Sequence, residues 1–153
     1  MNVIHFLIFA ILIKLNFDDI LSKSCQLVDF CILAALVLYL RREDFIMLKM
    51  NPDFLFYLVV LTYFLPLVLA ASYCVFPFIR SNLGAGDILY LFAVAPLVPG
   101  IAGFRLLFVA SLLALPFALL NYCRQRRLFE TEAFDYFFPF IPFLTIATFF
   151  INP

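Results

Sequence analysis

Two short stretches of this sequence hold residues whose types and spacing suit proton-transfer chemistry. Residues 17–23 read FDDILSK, and residues 83–89 read LGAGDIL. Asp18 and Asp19 close one apolar run, and Asp87 opens another. A carboxylate at the edge of hydrocarbon is costly, so it either reaches out to water or is kept for chemistry. Two carboxylates a few ångströms apart do not both ionise easily, and one is driven to hold a proton. Such a pair can activate a water with its ionised member and protonate a leaving amine with the other, as aspartic proteases do. Gly84 and Gly86 lack a Cβ, so they are expected to let the backbone turn sharply and a substrate strand approach closely. The same residues also fit an ordinary helix entrance, where a carboxylate near the N-terminus is favoured in any case.

Most of the other acidic residues sit in charged loops beside basic ones, as in RRED at 41–44 and RQRRLFETE at 124–132. They read as solvated. The cysteines at 25, 31, 74 and 123 form no C-x-x-C pair, and His5 is the single histidine. That pattern gives no zinc or redox signal. The cysteines read as apolar packing residues, His5 as interfacial, and no metal is expected.

The elements that must position the aspartates follow from composition. The 153 residues are 67% hydrophobic and 13% charged, and the mean hydropathy is +1.12. Soluble domains are roughly half apolar and a quarter charged. The expectation is therefore an all-α, polytopic membrane helix bundle forming one domain over 1–153, with the lipid bilayer as its surroundings. A net charge of zero leaves no basic surface for phosphates and excludes nucleic acid as a partner.

A helix crosses the hydrocarbon with about 20 apolar residues. The charges mark out six expected spans: Val3–Phe17, Leu27–Leu40, Phe54–Ile79, Ile88–Phe104, Leu106–Cys123 and Tyr136–Pro153, with five as the fallback. Pro66 and Pro77 should tilt or kink the third. Gly103, Phe104 and Arg105 separate the fourth from the fifth. Tyr39, Tyr57, Tyr73, Tyr90, Tyr122 and Tyr136 mostly stand near span ends, as an aromatic belt requires. The N-terminus lacks a basic region and a small-residue cleavage site, so it reads as a retained first helix. With that end outside, the inner loops hold Lys14, Lys23, Arg80, Arg124, Arg126 and Arg127, against Arg41, Arg42, Lys49 and Arg105 outside. The positive-inside bias supports this orientation. Two spans separate Asp19 from Asp87, so both should face the cytoplasm.

GAGD at 84–87 resembles the Gly-x-Gly-Asp motif of the type IV prepilin peptidases, GxGD membrane aspartic peptidases of bacteria and archaea. FDDILSK is similar to the family's first catalytic aspartate at the end of the first helix, followed by a short basic segment. Asp19, with Ser22 and Lys23 after it, fits that register better than Asp18. FPFIPFL at 138–144 resembles the stretch that opens the family's last helix. The likeness covers nearly the whole chain as an order of features. It departs at Cys25, Gln26 and Leu27, where the family has Ile-Pro-Asn, and at Leu89, where the family commonly has lysine. Leu27-Val28-Asp29 stands as a counterpart after a two-residue insertion, with Asp29 as the second polar residue. The chain lacks the paired C-x-x-C motifs of larger members and looks like the short, peptidase-only form associated with Flp-type or tight-adherence pili.

The resemblance implies an enzyme of the inner (cytoplasmic) membrane that spans it several times. It would cleave the leader of prepilin or pilin-like precursors, in type IV pilus assembly and protein secretion, without a cofactor. Asp19 and Asp87 would be catalytic, Gly84 and Gly86 would shape the loop, and Asp18, Lys23 and Asp29 would support. A reading from a different class is a small non-enzymatic membrane scaffold, or a subunit of a transporter or secretion assembly, with both aspartates merely interfacial.

Overall fold

The computed structural model describes residues 3–22, 25–43, 46, 52–127 and 139–151. Among them the secondary structure is helical and contains no strand. The helices are α1 (Val3–Ser22), α2 (Leu27–Leu40), α3 (Pro52–Val75), α4 (Pro77–Asn82), α5 (Ala85–Val94), α6 (Ile101–Arg127) and α7 (Ile141–Ile151), with a 3₁₀ turn at Ala95–Leu97 between α5 and α6.

Helical periodicity gives each long element one inward stripe. On α1 it runs Ile8, Leu12, Leu15 and then Asp19; on α2 it is Phe30, Leu33 and Val37. On α6 it includes Leu106, Ala110 and Ala114, and on α7 Ile141, Leu144, Ala147 and Thr148. α5 differs in being buried nearly all round, with Asp87, Ile88, Tyr90, Leu91, Ala93 and Val94 enclosed. It is the central helix, packed against α2, α3 and α7, while α1 lies against α2 and α7 and α7 also lies against α6.

The periphery is apolar. Leu21, Phe78, Ile101, Phe108 and Phe150 are each about 70% exposed or more. Within α6, Ile101–Leu120 is a 20-residue stretch of mean hydropathy 2.1, long and apolar enough to cross a membrane. It corresponds to the fifth expected span. Among the described residues it is the one helix that meets both criteria. α1 has the length but carries Lys14, Asp18 and Asp19; α2 has 14 residues and α7 has 11. Residues 136–138 and 152–153 of the sixth expected span lie outside the described residues.

Several expected boundaries move for local reasons. The third expected span is two helices: Pro66 lies inside α3, whereas Pro77 occupies the first turn of α4 after an extended Phe76. Proline is tolerated in a first turn because its missing N–H would have no partner there. The fourth and fifth spans part at Val98–Gly100, ahead of the expected Gly103–Arg105 break. Gly100 has φ of 64°, the left-handed conformation that side chains with a Cβ resist. Gly103 instead lies inside α6 facing α3, where an added Cβ would come within 3.2 Å of Leu65 Cδ2. Tyr90 is fully buried, so it is not part of an aromatic belt; its hydroxyl meets Thr148 Oγ1 at 3.5 Å inside the bundle.

A Cβ on Gly100 would meet no atom within 4 Å, so substitution there tests backbone conformation alone. Gly100→Ala is expected to cost about 1–2 kcal/mol and Gly100→Asn less, because asparagine tolerates the left-handed region. Thermal unfolding in detergent micelles measures both.

Candidate functional site

The buried stripe of α1 spaces Leu12, Leu15 and Asp19 three and four residues apart, so the last turn turns a carboxylate inward where an apolar residue would be expected. Asp19 is 4% exposed. Its Oδ2 accepts the backbone N–H of Ile141 at 3.2 Å. That donor is free for a simple reason. Ile141 is the first residue of α7, where amides have no partner within the helix, and Pro142 after it has no N–H. The next two amides, of Phe143 and Leu144, both turn back to the Phe140 carbonyl. The tip of α7 therefore offers the Ile141 amide, and a carboxylate at a helix N-terminus is also favoured by the helix dipole.

Asp87 reaches the same region from α5. It sits in the first turn and is 7% exposed, and its Oδ2 accepts the N–H of Gly84 at 3.1 Å. This is one half of a capping box, since Gly84 has no side chain to return the bond. Gly84 has φ of −72° and ψ of 145°, and Gly86 is helical. The expected sharp glycine turn is absent: LGAGDIL is an extended residue followed by a helix entrance. Gly86 matters for packing. A Cβ there would lie 3.6 Å from Ile141 Cδ1 and 3.8 Å from Phe30 Cζ, so the first turn of α5 rests directly on the residue whose amide holds Asp19.

Both carboxyls lie beyond the apolar runs expected to span. Burial pushes Asp19 up to about 6, partly offset by the Ile141 hydrogen bond. Burial pushes Asp87 up to about 7, the Asp19 carboxylate adds to this, and the Gly84 hydrogen bond offsets part of it. Near neutral pH the pair is poised between ionised and protonated forms, the condition that acid–base work by two carboxyls requires.

Cys25 lies between α1 and α2, with its thiol donating to the Leu15 carbonyl at 3.6 Å. Burial raises its pKa to about 11, with further contributions from Asp19, Asp18, Asp87 and Asp29. Burial and nearby acidic residues thus keep this thiol neutral, too protonated to serve as a nucleophile.

The supporting residues divide. Asp29 is buried in the first turn of α2, and both its oxygens take Lys14 Nζ, at 2.7 and 2.8 Å. Lys14, expected in an inner loop, is a mid-helix residue of α1 bound to this buried partner. Asp18 is half-buried and within electrostatic reach of Lys14, so the adjacent aspartates of α1 serve different neighbours. Successive helical side chains point about 100° apart, which makes that division unavoidable. Lys23 lies outside the described residues.

Sequence reading missed a polar column beneath the pair. Thr145 Oγ1 lies 3.1 Å from Asn16 Oδ1 and 3.0 Å from the Ile141 carbonyl, and Thr148 Oγ1 donates to the Leu144 carbonyl at 2.8 Å. The signal was spacing: Asn16 precedes Asp19 by three, Tyr90 follows Asp87 by three, and Thr145 and Thr148 follow Ile141 by four and seven. Each shares a helix face with a residue of the site.

Comparison with protein-family models, curated proteins and solved structures finds no match. The functional reading therefore rests on the residues and their geometry.

The raised carboxyls make folding sensitive to pH in a defined direction. The folded state binds more protons than the unfolded state between about pH 4 and pH 7, so stability is greatest below that window and falls as pH rises through it. Asp87→Asn removes one such group. Wild-type protein is expected to be more stable at pH 5 than at pH 8 by more than about 1 kcal/mol, and Asp87→Asn to narrow that gap, as read by unfolding in micelles at both pH values.

Proposed function

We propose that the chain is a multi-pass membrane aspartic endopeptidase that removes the leader of prepilin or pilin-like precursors at the cytoplasmic face. The observation that carries this reading is the placement of Asp19 and Asp87 within electrostatic reach of one another. They come from helices far apart in sequence, are both enclosed, interact electrostatically and are each held by one backbone amide.

In this reading the ionised member of the pair takes a proton from a water as its oxygen attacks the scissile carbonyl carbon. The protonated member donates to the carbonyl oxygen. When the tetrahedral intermediate collapses, a proton passes to the departing amine and the C–N bond breaks. The two carboxyls supply both acceptor and donor, so the cycle calls for no cofactor. The backbone amides of Ile141 and Gly84 hold one oxygen of each carboxyl and leave the other for water. The apolar periphery supports a setting in lipid, where a precursor's apolar helix would lie against the bundle while its charged leader stays in water.

The non-enzymatic scaffold keeps one observation in its favour. Asp19 caps the tip of α7 and Asp87 caps α5, so each carboxylate already has a structural partner.

Co-expression with a pilin-like precursor from the same genome separates the two readings, with leader removal followed as a gel mobility shift. Asp19→Asn and Asp87→Asn are each expected to lower cleavage at least 100-fold while the protein still accumulates, because asparagine keeps the shape and the capping oxygen but not the proton transfer. Asp18→Asn should retain most of the activity. Full processing by Asp87→Asn, in cells where the wild-type chain is the responsible protease, would leave the scaffold.

A further inference from the structure

α7 is tied to both aspartate-bearing helices. It meets α1 at two rungs about one turn apart, Asp19 with the Ile141 amide and Asn16 with the Thr145 hydroxyl. It meets α5, which carries Asp87, where Tyr90 contacts Thr148. The upper rung touches the reacting pair. The lower one does not, but it joins the same two helices one turn away. A hydroxyl has one hydrogen, and Thr145 has two acceptors for it, Asn16 Oδ1 and the carbonyl of Ile141 itself. That one hydrogen is shared, so Thr145 links the carbonyl of the residue whose N–H holds Asp19 to Asn16 of α1, and the same hydroxyl also meets Tyr90 of α5. Sliding α7 by one residue, about 1.5 Å, or rotating it by about 100° would break both rungs.

We propose that Thr145 and Asn16 are positioning residues for the aspartate pair: their contact fixes the depth and rotation of α7 so that the Ile141 amide stays on Asp19. The proposal deepens the peptidase reading by adding the tip of α7 to the site, but the positioning itself stands on the contacts and can be measured without a substrate.

The titratable groups near this turn are few. Asp87 of α5 is within electrostatic reach of Asp19, Cys25 is within reach of Asp19, Asp18, Asp87 and Asp29, and Asp29 of α2 holds Lys14. α7 contributes no titratable side chain. Loss of alignment between α7 and α1 takes the amide donor from Asp19 and brings no titratable group in its place, which favours the protonated form of that carboxyl while it stays enclosed.

The test uses the full chain in detergent micelles and dicyclohexylcarbodiimide, which adds to protonated carboxyls in apolar surroundings. Labelling at Asp19 and Asp87 is read by peptide mass spectrometry across pH 5 to 9. In Thr145→Val and in Asn16→Ala, Asp19 labelling is expected to persist about half a pH unit or more higher than in the wild type, because the ionised carboxylate loses the donor that favours it. Asp87 should move less. Thr145→Ser should restore the wild-type profile, because serine keeps the hydroxyl. If Thr145→Val does not accumulate, Asn16→Ala alone carries the comparison. An unchanged Asp19 profile in a variant that unfolds at the wild-type temperature overturns the proposal, and so does an equal movement of Asp19 and Asp87. A wild-type chain that cleaves no precursor while the Asp19 profile shifts as expected removes the peptidase reading and leaves the positioning role in place.

Discussion

The bond from the Ile141 amide to the Asp19 carboxylate is the constraint on which the rest of this structure turns. It joins α1 to α7 and satisfies a first-turn donor that has no partner within its own helix. It also keeps a buried carboxylate from being wholly without partners. A buried polar group with no hydrogen bond costs roughly 1–3 kcal/mol, and more when charged. Asp19 and the tip of α7 each carry such a liability, and each removes the other's. The apolar stripes of the helices can tolerate small sliding motions. This bond is directional, so it selects one register among packings that hydrophobic burial alone would leave similar.

α5 is held in a comparable way at its own start. Asp87 takes the Gly84 amide, Gly86 leaves room for Phe30 and Ile141, and Tyr90 is tethered one turn further in. Polar contacts thus form a column along one side of the central helix, with apolar packing on the others. Lys14 and Asp29 stand apart from that column. Their pair joins α1 to α2 and gives the buried Asp29 carboxylate a cation, which it could not forgo without a large desolvation cost. Among the described residues, buried acidic side chains meet either a backbone amide or this lysine.

The helical class was legible in the sequence because composition and long apolar runs leave few alternatives. α2 matches its expected bounds, since charged or polar residues flank it closely. Proline effects were legible only in part. Pro77 acts as a helix start and Pro66 as an interior residue, and the difference depends on whether the preceding residue can become extended. The turn at Gly100 was missed in favour of Gly103, because a sequence does not show which glycine adopts positive φ and which makes room for a neighbouring helix. Glycines 84 and 86 looked like a tight loop for the same reason. The aspartates stood out as charges in an apolar chain. Their amide partners did not, because backbone donors carry no letter and Ile141 looks like any other apolar residue. Asn16, Thr145 and Tyr90 were hidden differently: each is common at a helix surface, and only its helical phase relative to the aspartates and Ile141 sets it apart.

The span of 122 residues between Asp19 and its amide partner has a consequence for biogenesis. Chains emerge from the ribosome N-terminus first, so Asp19 is made long before Ile141. During that interval its carboxyl must stay hydrated or take up a proton, and the first helix has no fixed register against a last helix that does not yet exist. The pair of aspartates is complete in composition once residue 87 has been made, but its geometry is set only when the closing helix arrives. A product cut short before residue 141 would carry both acids without the amide that holds Asp19, leaving that carboxyl to water or a proton.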